Sequence, residues 1–141
     1  MADTAASPSP PPAPAPARDP IIRTVPAPAD VNSNGDIFGG WVLSQMDIAG
    51  GVAAGRAAQG RVATVAITAM TFHHPIKIGD LVSIYGSVGK IGNTSITITL
   101  ETIVQRRLSD APIKVTEGTY VYVAIDDNGR PRPVPKATIA V

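Results

Sequence analysis

An α+β domain, with one long helix lying against an antiparallel sheet, is the fold class this sequence predicts, on three observations. Residues 37 to 58 carry apolar side chains at helical spacing (Phe38, Val42, Met46, Ala49, Ala53, Ala57), and no comparable stretch occurs elsewhere. Four later stretches alternate with period two and are rich in Val, Ile, Thr and Tyr. No helix separates them, so they must pair as antiparallel neighbours, because a parallel connection needs a crossover of a dozen residues or more. With one short strand before the helix, the expectation is a curved five-stranded sheet that wraps the helix.

The elements follow in order. Of the first 20 residues 13 are Ala or Pro, and nine of the 14 prolines fall in the first 28 residues, so residues 1 to 20 read as a disordered Pro/Ala-rich tail. IIRTV (21 to 25) reads as a short strand, and PAPADVNSNGD (26 to 36) as a loop. Asn34-Gly35-Asp36 then supplies a turn and a carboxylate able to cap helix N–H groups. The helix is apolar nearly all round and contains Gly39, Gly40, Gly50, Gly51 and Gly55, each costly in a helix interior by up to ~1 kcal/mol relative to Ala. Such a helix should be buried on every side, with its glycines admitting another backbone or a ligand. Strands are expected over 61–72, 80–91, 94–106 and 113–125, bounded by Pro75, Gly79, Gly92-Asn93, Pro112 and the turn Asp126-Asp127-Asn128-Gly129. The closing PRPVPKATIAV, with three prolines, reads as a surface coil.

Composition narrows the function. At 141 residues, less the tail, the chain holds a single core burying roughly 65% of its extended-chain surface. There is no cysteine, which removes disulfides, thiolate metal sites and a thiol nucleophile. Net charge is +1 with 4% aromatics, offering nucleic acid neither an electrostatic footprint nor a stacking platform. Asp47 and Arg56 interrupt the longest apolar run, so no membrane span is expected. The amino-terminal residues lack both an apolar signal core and an Arg-rich presequence, which makes a cytoplasmic protein the expectation.

One acidic residue, Asp47, lies between Ile37 and Gly79. It sits mid-helix among Met46, Ile48, Ala49 and glycines, with little polar face to solvate it, where helix propensity disfavours it and where a general base could be held. Gly39-Gly40 stand at the helix entrance, where unpaired N–H groups point outward and a glycine lets a carbonyl approach the backbone, as in an oxyanion hole. His73 and His74 are the only histidines; adjoining on a strand end they should point to opposite faces, and without a third ligand nearby no metal is expected. There is no Gly-x-Ser-x-Gly elbow, phosphate loop or dinucleotide fingerprint.

The runs NSNGDIFGGWVLSQMDIAGGVAA, GRVATVAITAMTFHHPIKIGDLV and TEGTYVYVAIDDNGRPRPVP resemble the broad-range bacterial acyl-CoA thioesterases of the hotdog superfamily, the YciA-like group, over essentially residues 22 to 135. The most specific part is NGDIFGGW followed by Met-Asp six and seven residues after Gly40. The resemblance implies a hotdog fold over residues 21 to 135, with 136 to 141 as a terminal coil, dimerising side by side and commonly forming a trimer of dimers. It also implies Asp47 as catalytic acid residue on the helix, Gly39 as the N–H donor to the thioester carbonyl, Asp36 and, more weakly, Thr64 as substrate- or water-positioning residues, and Gly40 beside them. His73-His74 depart from the group, where an apolar or basic residue more often precedes the proline.

The implied reaction is hydrolysis of acyl-CoA to a free acid and coenzyme A, with no cofactor. A thiol ionises near ~8.5, so the leaving group needs no strong general acid. One base and one oxyanion hole suffice, with Asp47 activating water or attacking the carbonyl itself. Six of the 12 Lys and Arg lie between Arg106 and Lys136, and Arg130 and Arg132 are the expected contacts of the coenzyme phosphates. Two other readings stand beside this one: an acyl-CoA-binding module without catalysis, and, less favoured, a hotdog dehydratase, which would want a histidine base paired with an acid, whereas no histidine is expected near the helix entrance. Gly39 and Asp47 are eight residues apart, roughly 12 Å along one helix, so a single carbonyl could meet both only if they came from different subunits of a homodimer, with Gly50-Gly51 allowing the two helices to approach.

Overall fold

The computed structural model describes residues 19–109 and 111–136. The elements are β1 (Ile22–Thr24), a single 3-10 turn (Pro28–Asp30), α1 (Gly39–Ala58), β2 (Val62–Phe72), β3 (Leu81–Ile91), β4 (Ser95–Gln105) and β5 (Pro112–Ala124). The strands form one antiparallel sheet in the order β1-β3-β4-β5-β2. Both the single helix and the five antiparallel strands are therefore as the sequence predicts. The expected tail lies outside the described residues apart from Asp19 and Pro20, as do residues 137–141.

α1 begins at Gly39 and not at Ile37, because the preceding residues are held in extended pairing. Ile37 bridges Val31 and donates its N–H to the Ile76 carbonyl at 2.9 Å, while the Phe38 N–H donates to the Asp30 carbonyl at 2.8 Å. The expected capping role of Asp36 is not realised: Phe38 is the N-cap residue, no side chain caps the helix, and the Asp36 carboxylate pairs with Lys77. At the other end Gln59 turns left-handed with φ 53°, and the Gly60 N–H closes onto the Gly55 carbonyl at 3.1 Å.

The helix buries one face, Val42, Met46, Ala49, Gly50, Ala53, Ala54, Ala57 and Ala58, against the sheet. Small side chains there let the helix axis come close, and the sheet supplies the bulk through Ile96, Ile98 and Leu100 of β4 and Tyr120 and Tyr122 of β5. Alternation along β4 is regular, with Ile96, Ile98, Leu100, Thr102 and Val104 all facing the helix. Burial on every side is not what the single chain shows, since Ile48 and Val52 on the opposite face of α1 are 55% and 40% exposed. Nor does Gly50 face outward toward another helix: a Cβ there would lie 2.9 Å from Tyr122 Cζ and 3.0 Å from Leu100 Cδ1, so it makes room for the chain's own sheet.

The segment after β5 is a correction to the surface-coil expectation. Pro131 bridges Ile125, the Arg132 N–H donates to the Ala124 carbonyl at 2.9 Å, and the Val134 N–H donates to the Asn93 carbonyl at 2.8 Å. Val134 is 7% exposed and belongs to the core. Three prolines suit this path because the chain lies along the sheet end in extended form and needs few N–H donors.

Candidate active site

Asp47 projects from the middle of α1 toward β2 and β5. Its Oδ1 accepts a hydrogen bond from Thr64 Oγ1 at 2.7 Å and lies 2.9 Å from the Tyr122 hydroxyl, which is also 2.8 Å from the Asp47 backbone carbonyl. Oδ2 has no donor among the described residues. Tyr120 donates in the same way to the Leu43 carbonyl at 2.8 Å. The two tyrosines are stacked, with ring centroids 6.4 Å apart and planes 16° from parallel. Their spacing has a simple geometric origin. Residues i and i+2 of a strand are about 6.8 Å apart and point to one face, while successive turns of a helix separate residues i and i+4 by about 6 Å. Tyr120 and Tyr122 therefore meet the carbonyls of Leu43 and Asp47.

Burial pushes the Tyr120 phenol up to about 12, with the negative charge of Asp47 adding to it. Burial likewise drives the Tyr122 phenol well above its ordinary value, reinforced by its hydrogen bond to Asp47. Both are neutral donors throughout the physiological range.

A second locus lies at the start of the helix. A cleft of about 330 Å³ is bordered by Asp36, Gly39, Phe72, His73 and His74, among others. The Gly39 and Gly40 N–H groups have no acceptor among the described residues, and the Phe72 ring would lie 3.6 Å from a Cβ placed on Gly39. His73 Nε2 is 2.6 Å from Glu117 Oε2, and Lys114 lies 3.3 Å from the other oxygen of the same carboxylate. These contacts, that of His73 first, hold the Glu117 carboxyl below the usual carboxylate range. The two histidines follow the end of β2, their backbone N–H groups both directed at the Val115 carbonyl at 2.8 and 3.3 Å, and both border the cleft beside Gly39, which corrects the expectation that no histidine stands near the helix entrance. Among the described residues no group of three His, Cys, Asp or Glu could hold a metal ion.

Sequence reasoning thus singled out two loci that the fold keeps apart. Asp47 and Thr64 are in contact, and Asp36, Gly39 and Gly40 share the helix entrance, but α1 separates Gly39 from Asp47 by eight residues, roughly 12 Å. Arg130 is exposed on the turn after β5. Arg132 is at the far end of α1, its Nε donating to the Ile125 carbonyl at 3.0 Å and its Nη2 to the Ala58 carbonyl at 3.0 Å. Tyr122 was missed. Its signal was present in the alternation of β5, since an inward-facing tyrosine opposite an apolar helix needs a polar partner on that helix.

A carboxylate held by neutral hydroxyls, and free N–H donors at the entrance of the same central helix, are the two chemical features that the helix-in-sheet fold presents. The family model described as the thioesterase superfamily matches residues 34–107. The acyl-CoA thioester hydrolase YciA of Salmonella typhimurium is 49% identical over 119 residues, spanning 82% of this chain and 89% of that protein. The crystal structure of a hexameric thioesterase from Yersinia pestis superposes with a TM-score of 0.81 at 46% identity, covering 87% of this chain and 100% of that one. A hexameric hotdog fold thioesterase of Campylobacter jejuni superposes with a TM-score of 0.80 at 38% identity, covering 84% and 92%. The chain belongs to the thioesterase superfamily.

Proposed function

We propose that the protein hydrolyses acyl-CoA thioesters to free carboxylic acid and coenzyme A, and that it does so as a homodimer with two shared sites. The observation that carries this reading is the Asp47 carboxylate, fixed by Thr64 and Tyr122 yet with one oxygen unengaged, in a chain whose relatives are named acyl-CoA thioester hydrolases. Asp47 is the base or nucleophile. As base it takes a proton from water while the water oxygen bonds to the thioester carbon; as nucleophile its own oxygen forms that bond and water then cleaves the anhydride. In either route the carbonyl oxygen becomes an oxyanion held by the Gly39 N–H, with Gly40 adjacent. Collapse of the tetrahedral species breaks the carbon–sulfur bond and releases coenzyme A as thiolate.

Base and oxyanion donor must act within about 3 Å of one reacting group, which the 12 Å between them on one helix forbids. Gly39 of one subunit therefore serves with Asp47 of the other. The surface that brings them together is exposed in the single chain: β2 is an edge strand, Val65 and Ile67 on it are 57% and 45% exposed, and Ile48 and Val52 of α1 are exposed as well. An unpaired strand edge next to exposed apolar side chains favours a second copy of the same chain. Assembly of three such dimers would match the hexamers described for the Yersinia and Campylobacter proteins.

Asp36, tied to Lys77 at the cleft, positions substrate there. Thr64 orients Asp47 or its water. Arg130, whose guanidinium has no partner among the described residues, contacts the coenzyme phosphates, whereas two donors of Arg132 are already committed. The last turn of α1, near these arginines, is roughly 16 Å along the helix from Asp47, a span the pantetheine arm of coenzyme A covers. A thiol-release assay over acyl-CoA chain lengths from acetyl to long-chain tests the reading. Turnover with at least one chain length is expected. Binding of acyl-CoA without thiol release would leave only the binding-module reading, and loss of water from a 3-hydroxyacyl-CoA would indicate a dehydratase.

A further inference from the structure

Asp47 presents one oxygen to two hydroxyls and leaves the other bare. We infer that Tyr122 is a positioning residue for the reaction: with Thr64 it pins Oδ1 of Asp47, so that Oδ2 alone meets the water or thioester carbon. This rests on the proposed role of Asp47.

The Tyr122 hydroxyl carries a single proton and lies near two acceptors of the same residue, Asp47 Oδ1 at 2.9 Å and the Asp47 carbonyl at 2.8 Å. While Asp47 is ionised, the proton belongs on Oδ1, because a hydrogen bond to a carboxylate is shorter and roughly twice as strong as one to a neutral acceptor. When Asp47 has taken a proton from water, or is acylated, the charge is gone and the same hydroxyl can rotate to the carbonyl. A buried phenol then stays satisfied in both states without moving its ring, which avoids the penalty of an orphaned buried donor. Thr64, the cross-strand neighbour of Tyr122, holds Oδ1 at 2.7 Å from an exposed position on β2. Two donors from two strands fix the carboxylate plane in a way that neither does alone.

Two further features support a built arrangement. The ring of Tyr122 is buried and stacked on that of Tyr120, which limits its tilt. Gly50 is the residue under which the phenol passes, and a Cβ there would stand 2.9 Å from Tyr122 Cζ, so a larger residue at position 50 would push the hydroxyl away from Asp47.

The test is steady-state thiol release by wild type, Tyr122→Phe, Thr64→Val and Asp47→Asn, each with its melting temperature. Tyr122→Phe removes only the hydroxyl. The expected result is a kcat lowered by about 10- to 100-fold with KM within about twofold, since a misplaced reacting group costs rate without weakening ground-state binding. Thr64→Val, at an exposed site, should show the same split more weakly, and it serves as the readout if Tyr122→Phe does not fold. A kcat within about twofold of wild type in both folded variants, alongside an inactive Asp47→Asn, would overturn the positioning role and leave Asp47 intact. Full activity in Asp47→Asn would instead overturn the assignment of Asp47 itself. A rise in KM with unchanged kcat would show that Tyr122 acts on substrate binding, which also contradicts the inference.

Discussion

The Nη2 of Arg132 donates to the backbone carbonyl of Ala58 at 3.0 Å, closing the last turn of the central helix from a segment that follows the final strand. A cation at a helix C-terminus complements both the orphan carbonyls and the helix dipole. The neighbouring arginine, Arg130, makes no such contact, and the two should separate cleanly on substitution. Arg132→Met, which keeps the apolar stem, is expected to lose about 1 to 3 kcal/mol of stability with KM for acyl-CoA little changed. Arg130→Ala is expected to raise KM with no shift in melting temperature. Thermal denaturation and steady-state kinetics on the two variants check this, and the reverse pattern would exchange their roles.

Tyr120 and Tyr122 make the fold sensitive to alkali. The folded state holds their phenol protons more tightly than the unfolded chain does, so their contribution is fully present below the ordinary phenol value of about 10. It is lost as pH rises from there to about 12 for Tyr120 and beyond for Tyr122. Urea midpoints measured across this range should fall steadily in wild type and fall less in Tyr120→Phe. An equal decline in both would show that the tyrosines are not its source.

The elements were legible because their periodicities are clean. β4 places every second residue from Ile96 to Val104 in the core, and α1 repeats small or apolar residues on one face. What misled was local. Asp36 has the chemistry of a helix cap, but tertiary pairing of Ile37 and Phe38 holds the chain extended for two more residues and leaves the carboxylate to Lys77. The glycine at position 50 signalled a close approach, yet sequence could not say that the approaching group was Tyr122, 72 residues later. Asp47 stood out as the one acidic residue of its region; its two hydroxyl partners are brought to it only by the order of the strands, with β2 and β5 adjacent at the sheet edge.

The exposed apolar side chains of α1 and β2 should mark the surface between subunits. Val52→Lys combined with Val65→Lys places charges on both elements without touching Asp47 or Gly39. The variant is expected to sediment as a smaller species than wild type and to lose turnover in proportion. A variant of unchanged mass with full turnover would move the subunit contact elsewhere.

Mixing two inactive parents tests the shared site most directly. Asp47→Asn is isosteric and removes the base, worth roughly 10² to 10⁴ in rate. Gly39→Pro removes the N–H donor at the first helical position, where proline is well accommodated and where the nearest contact of a new Cβ, with Phe72, is an ordinary 3.6 Å. After verified subunit exchange, each heterodimer pairs one intact Asp47 with one intact Gly39 across a single site. Thiol release should return to at most half the wild-type rate per dimer. Continued inactivity despite exchange, or full activity in a monomer, would contradict the account.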